Sequence, residues 1–150
     1  MNPLIIYQSK TGNTRKLVDT IVSVLNADLL TVDDGKPDHL NGRTLIGFGS
    51  GIYWTKIDHK IYEIASFVPK KCKVFIFITS GLGFSCMLRL YWYYIKKNFS
   101  NLDVNLIGKW DCRGYDQHPL SKWMGISKGH PNASDVESAK QFAIKMKAHM

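Results

Sequence analysis

Three short apolar runs, Leu4 to Tyr7, Thr44 to Phe48 and Val74 to Ile78 (the last reading VFIFI), most narrow the folds open to this chain. A strand with one wet face alternates apolar and polar side chains. A strand that is apolar at successive positions needs cover on both faces, which is the situation of a parallel sheet with helices above and below. Two weaker runs, Leu29 to Val32 and Leu102 to Ile107, read as flanking strands. Helical periodicity fills the gaps. Leu17, Val18, Ile21, Val22 and Leu25 form one stripe, and Ile57, Ile61, Ile64, Ala65 and Val68 another, at spacings of three and four. A third helix is expected from about Ser85 to Asn98. A fourth is expected after Pro131, with Ser134 and Glu137 at capping-box spacing and Val136, Ala139, Phe142, Ala143 and Met146 on one side. Alternating strands and helices imply an α/β fold, a doubly wound parallel sheet joined by right-handed crossovers.

The chain has 150 residues, 45% of them apolar, enough for one domain spanning 1–150 with a sizeable core. No window approaches the roughly 20 apolar residues of a membrane span, and the apolar run at the start is too short for a signal peptide, so a cytoplasmic protein is expected. Cys72, Cys86 and Cys112 are an odd number without C-x-x-C spacing, which argues against a disulfide framework or a metal cluster and leaves free thiols. The net charge is +8, yet Lys and Arg are spread from Lys10 to Lys147 and do not gather on one element, so nucleic acid is not the expected partner. Acidic partners fit the charge better.

In a doubly wound sheet the ligand lies beyond the carboxyl ends of the strands, where the strand order reverses. Three loops there carry distinctive chemistry: Ser9 to Thr14 after the first strand, Gly49 to Thr55 after the third and Thr79 to Phe84 after the fourth. The first opens a helix, whose unpaired N–H groups and positive dipole end suit a phosphate dianion, with Ser9, Thr11 and Thr14 as hydroxyl donors. Gly12 permits close approach of the backbone. The glycine spacings of a P-loop and of a dinucleotide fold are both absent, which disfavours a nucleoside triphosphate or NAD. Tyr53 and Trp54 in the second loop can stack on a flat conjugated ring. The third loop offers backbone donors and acceptors to a ring edge. A phosphate, a flat ring and a polar ring edge together describe FMN.

These motifs resemble those of the flavodoxin family. SKTGNT, residues 9–14, matches the family's [ST]-x-T-G-N-T phosphate loop at every specified position. GFGSGIYW resembles the loop flanking the flavin, TSGLGF occupies the place of the loop at the pyrimidine edge, and the closing section resembles the ending of short family members. The resemblance implies a five-stranded sheet of order 2-1-3-4-5 and the short-chain form, since no insertion interrupts the last strand. It implies that Ser9, Lys10, Thr11, Gly12, Asn13 and Thr14 surround the phosphate and that Ser50, Gly51, Ile52, Tyr53 and Trp54 run along the ring, either Tyr53 or Trp54 stacking on it. Thr79, Ser80, Gly81, Leu82 and Gly83 would meet the pyrimidine edge, with Phe84 as a second aromatic contact. Flavodoxins are typically acidic around the flavin, whereas Lys10, Lys56 and Arg89 fall near this site, giving a basic surface that suits redox proteins with acidic docking faces.

No acid–base pair stands out for a substrate. Asp58 and His59 are expected on an exposed helix face, His118 and His130 in turns, and the cysteines as ordinary thiols. The expected function is therefore that of a low-potential one-electron carrier between redox proteins, with the flavin carrying the chemistry. The alternative is an FMN-dependent oxidoreductase acting on a quinone, a porphyrinogen or NAD(P)H, for which the segment from Trp110 to Pro131 would serve as a lid or substrate wall.

Overall fold

The computed structural model describes residues 2–81, 85–115 and 127–150. Five strands, β1 (Leu4–Gln8), β2 (Asp28–Thr31), β3 (Leu45–Gly51), β4 (Lys73–Ser80) and β5 (Asn105–Arg113), form one sheet in the order β2-β1-β3-β4-β5. Every pairing is parallel. Among the described residues four α-helices connect and follow them: α1 (Asn13–Leu25), α2 (His59–Ala65), α3 (Ser85–Asn101) and α4 (Ala133–Lys147). The order reverses between β1 and β3, whose ends are held in line by the pairing of Gln8 with Ser50.

The unbroken apolar runs are explained by cover on both faces. Leu4, Ile6, Ile46, Phe48, Val74, Ile76 and Ile78 point toward α2 and α3, where Ile61, Ile64, Tyr91, Ile95 and Phe99 meet them. The intervening residues Ile5, Leu45, Phe75 and Phe77 point the other way, toward Leu17, Val18 and Ile21 of α1 and Ala139, Phe142 and Ala143 of α4. Two glycines of β3 belong to this second layer. Gly47 pairs with Phe75 and Gly49 with Phe77, and each phenyl ring lies across its glycine. A Cβ at either glycine would fall 2.3 Å from the ring's Cζ.

Strand β5 departs from the expected bounds, running on to Arg113 where the sequence suggested an end near Ile107. Leu106 pairs with Val74 and Gly108 with Phe75, so Ile107 is an extra residue in a bulge. Beyond it Lys109 and Asp111 face α3, while Trp110 stacks on Phe142 of α4 with ring centroids 5.9 Å apart. This alternation is that of an edge strand. The first residues of the proposed 110–131 lid, Trp110 to Arg113, are therefore sheet, and residues 116–126 of that segment, His118 included, lie outside the described residues.

Two helix starts also differ from expectation. Helix α4 is capped by Asn132, which accepts from the N–H of Asp135 while the Asp135 carboxylate accepts from the N–H of Asn132. Ser134 is already inside the helix, so the Ser134–Glu137 pair is not the cap. Helix α2 begins at Asp58, whose carboxylate accepts from the N–H of Lys60. Asp58 is thus not an exposed helix residue: its side chain is 8% accessible, against 76% for His59. No helix among the described residues is long and apolar enough to cross a membrane.

Candidate functional site

A cavity of about 390 Å³ opens beyond the carboxyl ends of the strands, in the size range of small-molecule pockets. Five segments contribute to its wall: Thr11 and Asn13 after β1, Gly51 to Thr55 after β3, Thr79 to Gly81 at the end of β4, Met87 and Tyr91 on the first turns of α3, and Gly114 and Tyr115 after β5.

The loop after β1 enters α1 through Gly12, which has φ +81°, a left-handed conformation that glycine takes without a Cβ penalty. Gly12 has no side chain to cap the helix, so the first-turn amides of Asn13 and Thr14 receive none from it. Asn13 instead crosses the mouth of the cavity. Its amide nitrogen donates to Thr11 Oγ1 at 3.1 Å and to the carbonyl of Tyr115 at 2.8 Å. Gly114 must lack a side chain here, since a Cβ would sit 2.8 Å from Asn13 Nδ2. Thr14 turns inward: its hydroxyl lies 2.9 Å from that of Thr79, and both residues are buried. Ser9 stays on the outer side, its hydroxyl accepting from the N–H of Arg15 at 3.3 Å.

The loop after β3 folds into a tight turn. The Tyr53 N–H donates to the Lys56 carbonyl at 2.7 Å and the Lys56 N–H to the Tyr53 carbonyl at 3.1 Å. Trp54 and Thr55, the two central residues, both have positive φ, the pattern of a type I′ turn. Trp54 is 88% exposed at its tip. Tyr53 points back to the first loop, where its hydroxyl accepts from the Lys10 N–H at 2.8 Å and the Lys10 ammonium lies 4.5 Å from its ring centroid. Burial pushes the Tyr53 phenol up from its ordinary pKa. Gly51 makes room for it, because a Cβ there would lie 2.6 Å from the Tyr53 oxygen. Ser50 is buried beneath the cavity and does not line it; its hydroxyl donates to the Gly51 carbonyl and accepts from the N–H of Asp58, tying the loop to α2. Asp58 also receives Gln8 Nε2 at 3.4 Å and lies 3.9 Å from the Lys10 ammonium.

Backbone bonds hold the strand ends together. Ile52 N–H donates to the Thr79 carbonyl at 2.8 Å, Gly114 N–H to the Ser80 carbonyl at 3.0 Å and Tyr115 N–H to the His130 carbonyl at 3.0 Å. Ser127 Oγ donates to the Gly81 carbonyl at 2.7 Å, and His130, in a turn, pairs with Asp135 at 2.6 Å.

Of the residues singled out from sequence, Thr11, Asn13, Gly51, Ile52, Tyr53, Trp54, Thr79, Ser80 and Gly81 are brought to the cavity. Ser9, Lys10, Gly12 and Thr14 complete the first loop without lining it, and Leu82, Gly83 and Phe84 lie outside the described residues. Met87 and Tyr91 were missed, while Thr55, at the end of the second loop, and Gly114 and Tyr115, within the 110–131 segment offered as a lid or substrate wall, were given no individual role. Met87 and Tyr91 are four apart on one side of α3, and Gly114 and Tyr115 follow a strand end. The rule that ligands gather at strand ends would have found the latter pair had β5 been read to its true end.

Across 146 residues the chain is 35% identical to the uncharacterized protein MJ0298 of Methanocaldococcus jannaschii, covering 95% of this chain and 96% of that protein; the two belong to one family. No family model matches. Flavodoxin 1 of Bacillus cereus superimposes with a TM-score of 0.73 at 14% identity, over 100% of this chain and 99% of its own. A flavodoxin from the domain Archaea gives a TM-score of 0.69 at 16% identity, over 99% and 97%. The chain has the flavodoxin-like fold. A third structure, flavodoxin 2 of B. cereus, agrees over the full length of both chains, with a TM-score of 0.70 at 17% identity. In this fold the cavity lies at the switch between β1 and β3, where open doubly wound sheets hold their ligands.

Proposed function

We propose that the cavity binds FMN and that the protein is a low-potential one-electron carrier between redox proteins. The observation that carries this reading is the convergence on one cavity of three loops, each suited to a different part of that cofactor. The first-turn amides of Asn13 and Thr14, at the positive end of α1, with the hydroxyls of Ser9 and Thr11, would hold the phosphate. Tyr53 fixes the Lys10 backbone beside them. Trp54 would cover a flat ring from the rim, and the backbone of Thr79, Ser80 and Gly81 would meet its polar edge. Bound FMN supplies the redox chemistry.

The lining favours carriage over turnover. Among the described residues it contains no carboxylate, imidazole, thiol or amine, and burial pushes the Tyr91 phenol up, so that it keeps its proton at neutral pH. Titration should give one FMN per chain, with riboflavin at least about 100-fold weaker, since hydrogen bonds to a charged group contribute about 1.5–3 kcal/mol each. Equal affinities would overturn the phosphate assignment. The reduced protein should pass electrons to redox proteins faster than to quinones or NADP⁺. Multiple turnovers with either small molecule would instead establish an oxidoreductase.

A further inference from the structure

Six surface cations lie against carboxylates: Lys10 at Asp58, Arg15 at Asp19, Arg43 at Asp28, Lys60 at Asp33, Lys70 at Asp103 and Lys140 at Glu137. Arg89, Lys96 and Lys109 form no such pair among the described residues, and all three are exposed. They converge on one groove of about 400 Å³ between α3 and β5, floored by Leu88, Trp92 and Tyr93. The cause is visible in the sequence: no Asp or Glu occurs between Glu63 and Asp103, so α3 carries cations and no anion. Leu90, Tyr93 and Tyr94 add exposed apolar surface along the same helix. Apolar and aromatic side chains within a cationic rim make the anatomy of a protein interface.

We propose that this groove docks an acidic redox protein, its carboxylates engaging Arg89, Lys96 and Lys109 around an apolar contact on Tyr93; the proposal rests on the carrier reading above. Position supports it. Met87 and Tyr91 on the same first turns of α3 line the cavity, so a partner in the groove is separated from the cavity by the width of one helix. A nucleic acid fits less well. The Lys109 ammonium already lies 4.9 Å from the centre of the Trp92 ring, and Trp92 is buried with its Nε1 held by Asp111 at 2.8 Å, so this ring is not open to a stacking base.

The test is an NMR titration of the isotope-labelled FMN-loaded protein with a strongly acidic [4Fe–4S] ferredoxin at low salt, and separately with a thymidine oligonucleotide. Ferredoxin should shift resonances of 85–97 and 109–111. The triple variant Arg89→Glu/Lys96→Glu/Lys109→Glu should bind about tenfold more weakly or worse, and Lys96→Glu alone about threefold more weakly. The control Lys70→Glu/Lys71→Glu/Lys140→Glu, with the same change in net charge, should lose less than threefold. Equal losses in the two triple variants, no ferredoxin binding by the wild type, or tighter binding of the oligonucleotide would each overturn the proposal. Electron transfer is timed separately. Shifts in the groove without electron transfer would leave the docking surface standing and remove the carrier reading; equal transfer rates in wild type and groove variant would do the reverse.

Discussion

The Thr14–Thr79 contact joins the first turn of α1 to the end of β4 and so aligns two of the loops around the cavity. The two hydroxyls lie 2.9 Å apart, with Thr14 1% and Thr79 3% exposed. Replacing Thr14 by Val keeps the shape but deprives the Thr79 hydroxyl of its partner in a place water does not reach. Such an orphan costs about 1–3 kcal/mol, whereas removing both hydroxyls leaves nothing unsatisfied. For a chain of this length each kcal/mol moves the melting temperature by about 2–4 °C, so Thr14→Val or Thr79→Val should lower it by roughly 2–12 °C. The double variant should lose no more than the worse single one. Urea unfolding of the four proteins, closed as a double-mutant cycle, should give a coupling of about 1 kcal/mol or more. Strict additivity, within about 0.5 kcal/mol, would refute the claim that these hydroxyls serve each other.

Tyr53→Phe removes the acceptor of the Lys10 N–H and should weaken FMN binding by roughly two- to tenfold while leaving riboflavin affinity unchanged, measured by fluorescence titration. Gly49→Ala places a Cβ against the Phe77 ring and should destabilise the fold by about 1–3 kcal/mol in urea unfolding. Thiol labelling of the native protein should modify Cys86, which is exposed, well before Cys72 and Cys112, which are buried and whose thiols are pushed up to about 11 and about 12. Because those values exceed the unperturbed thiol value of 9.0, the folded state binds more protons in alkali; the two thiols' contribution is intact below pH 9 and should be lost as pH rises toward 11–12, read as a falling melting temperature.

Helices and central strands were legible because their signals are local: unbroken apolar runs for strands covered twice, and a 3–4 spacing for α1 and α4. Strand β5 was cut short because Gly108, Lys109 and Asp111 interrupt the apolar run, as an edge strand allows, and because the bulge at Ile107 breaks the alternation that would have revealed it. The SKTGNT loop was legible as a motif at a helix start, but the inward turn of Thr14 and the burial of Ser50 depend on neighbours 65 and 8 residues away. The apolar stripe from Ile57 to Val68 overstated α2, whose helical turns end at Ala65 although Val68 still packs on the core. The Asn132 cap was overlooked because Ser134 and Glu137 offer the same spacing two residues later.

The bulge at Ile107 makes the outer edge of the sheet depend on counting. Side chains on a strand obey odd and even, so one surplus residue exchanges the two faces for everything beyond it. Here that exchange sends the Trp110 indole under α4 and the Lys109 ammonium into the groove beside α3. Substitutions at 109–112 alter one contact each. Deleting Ile107 would put Gly108 directly after Leu106, opposite Phe75 as now, and leave every later pairing in place, so at this one point the edge tolerates the loss of a residue as readily as a change of letter.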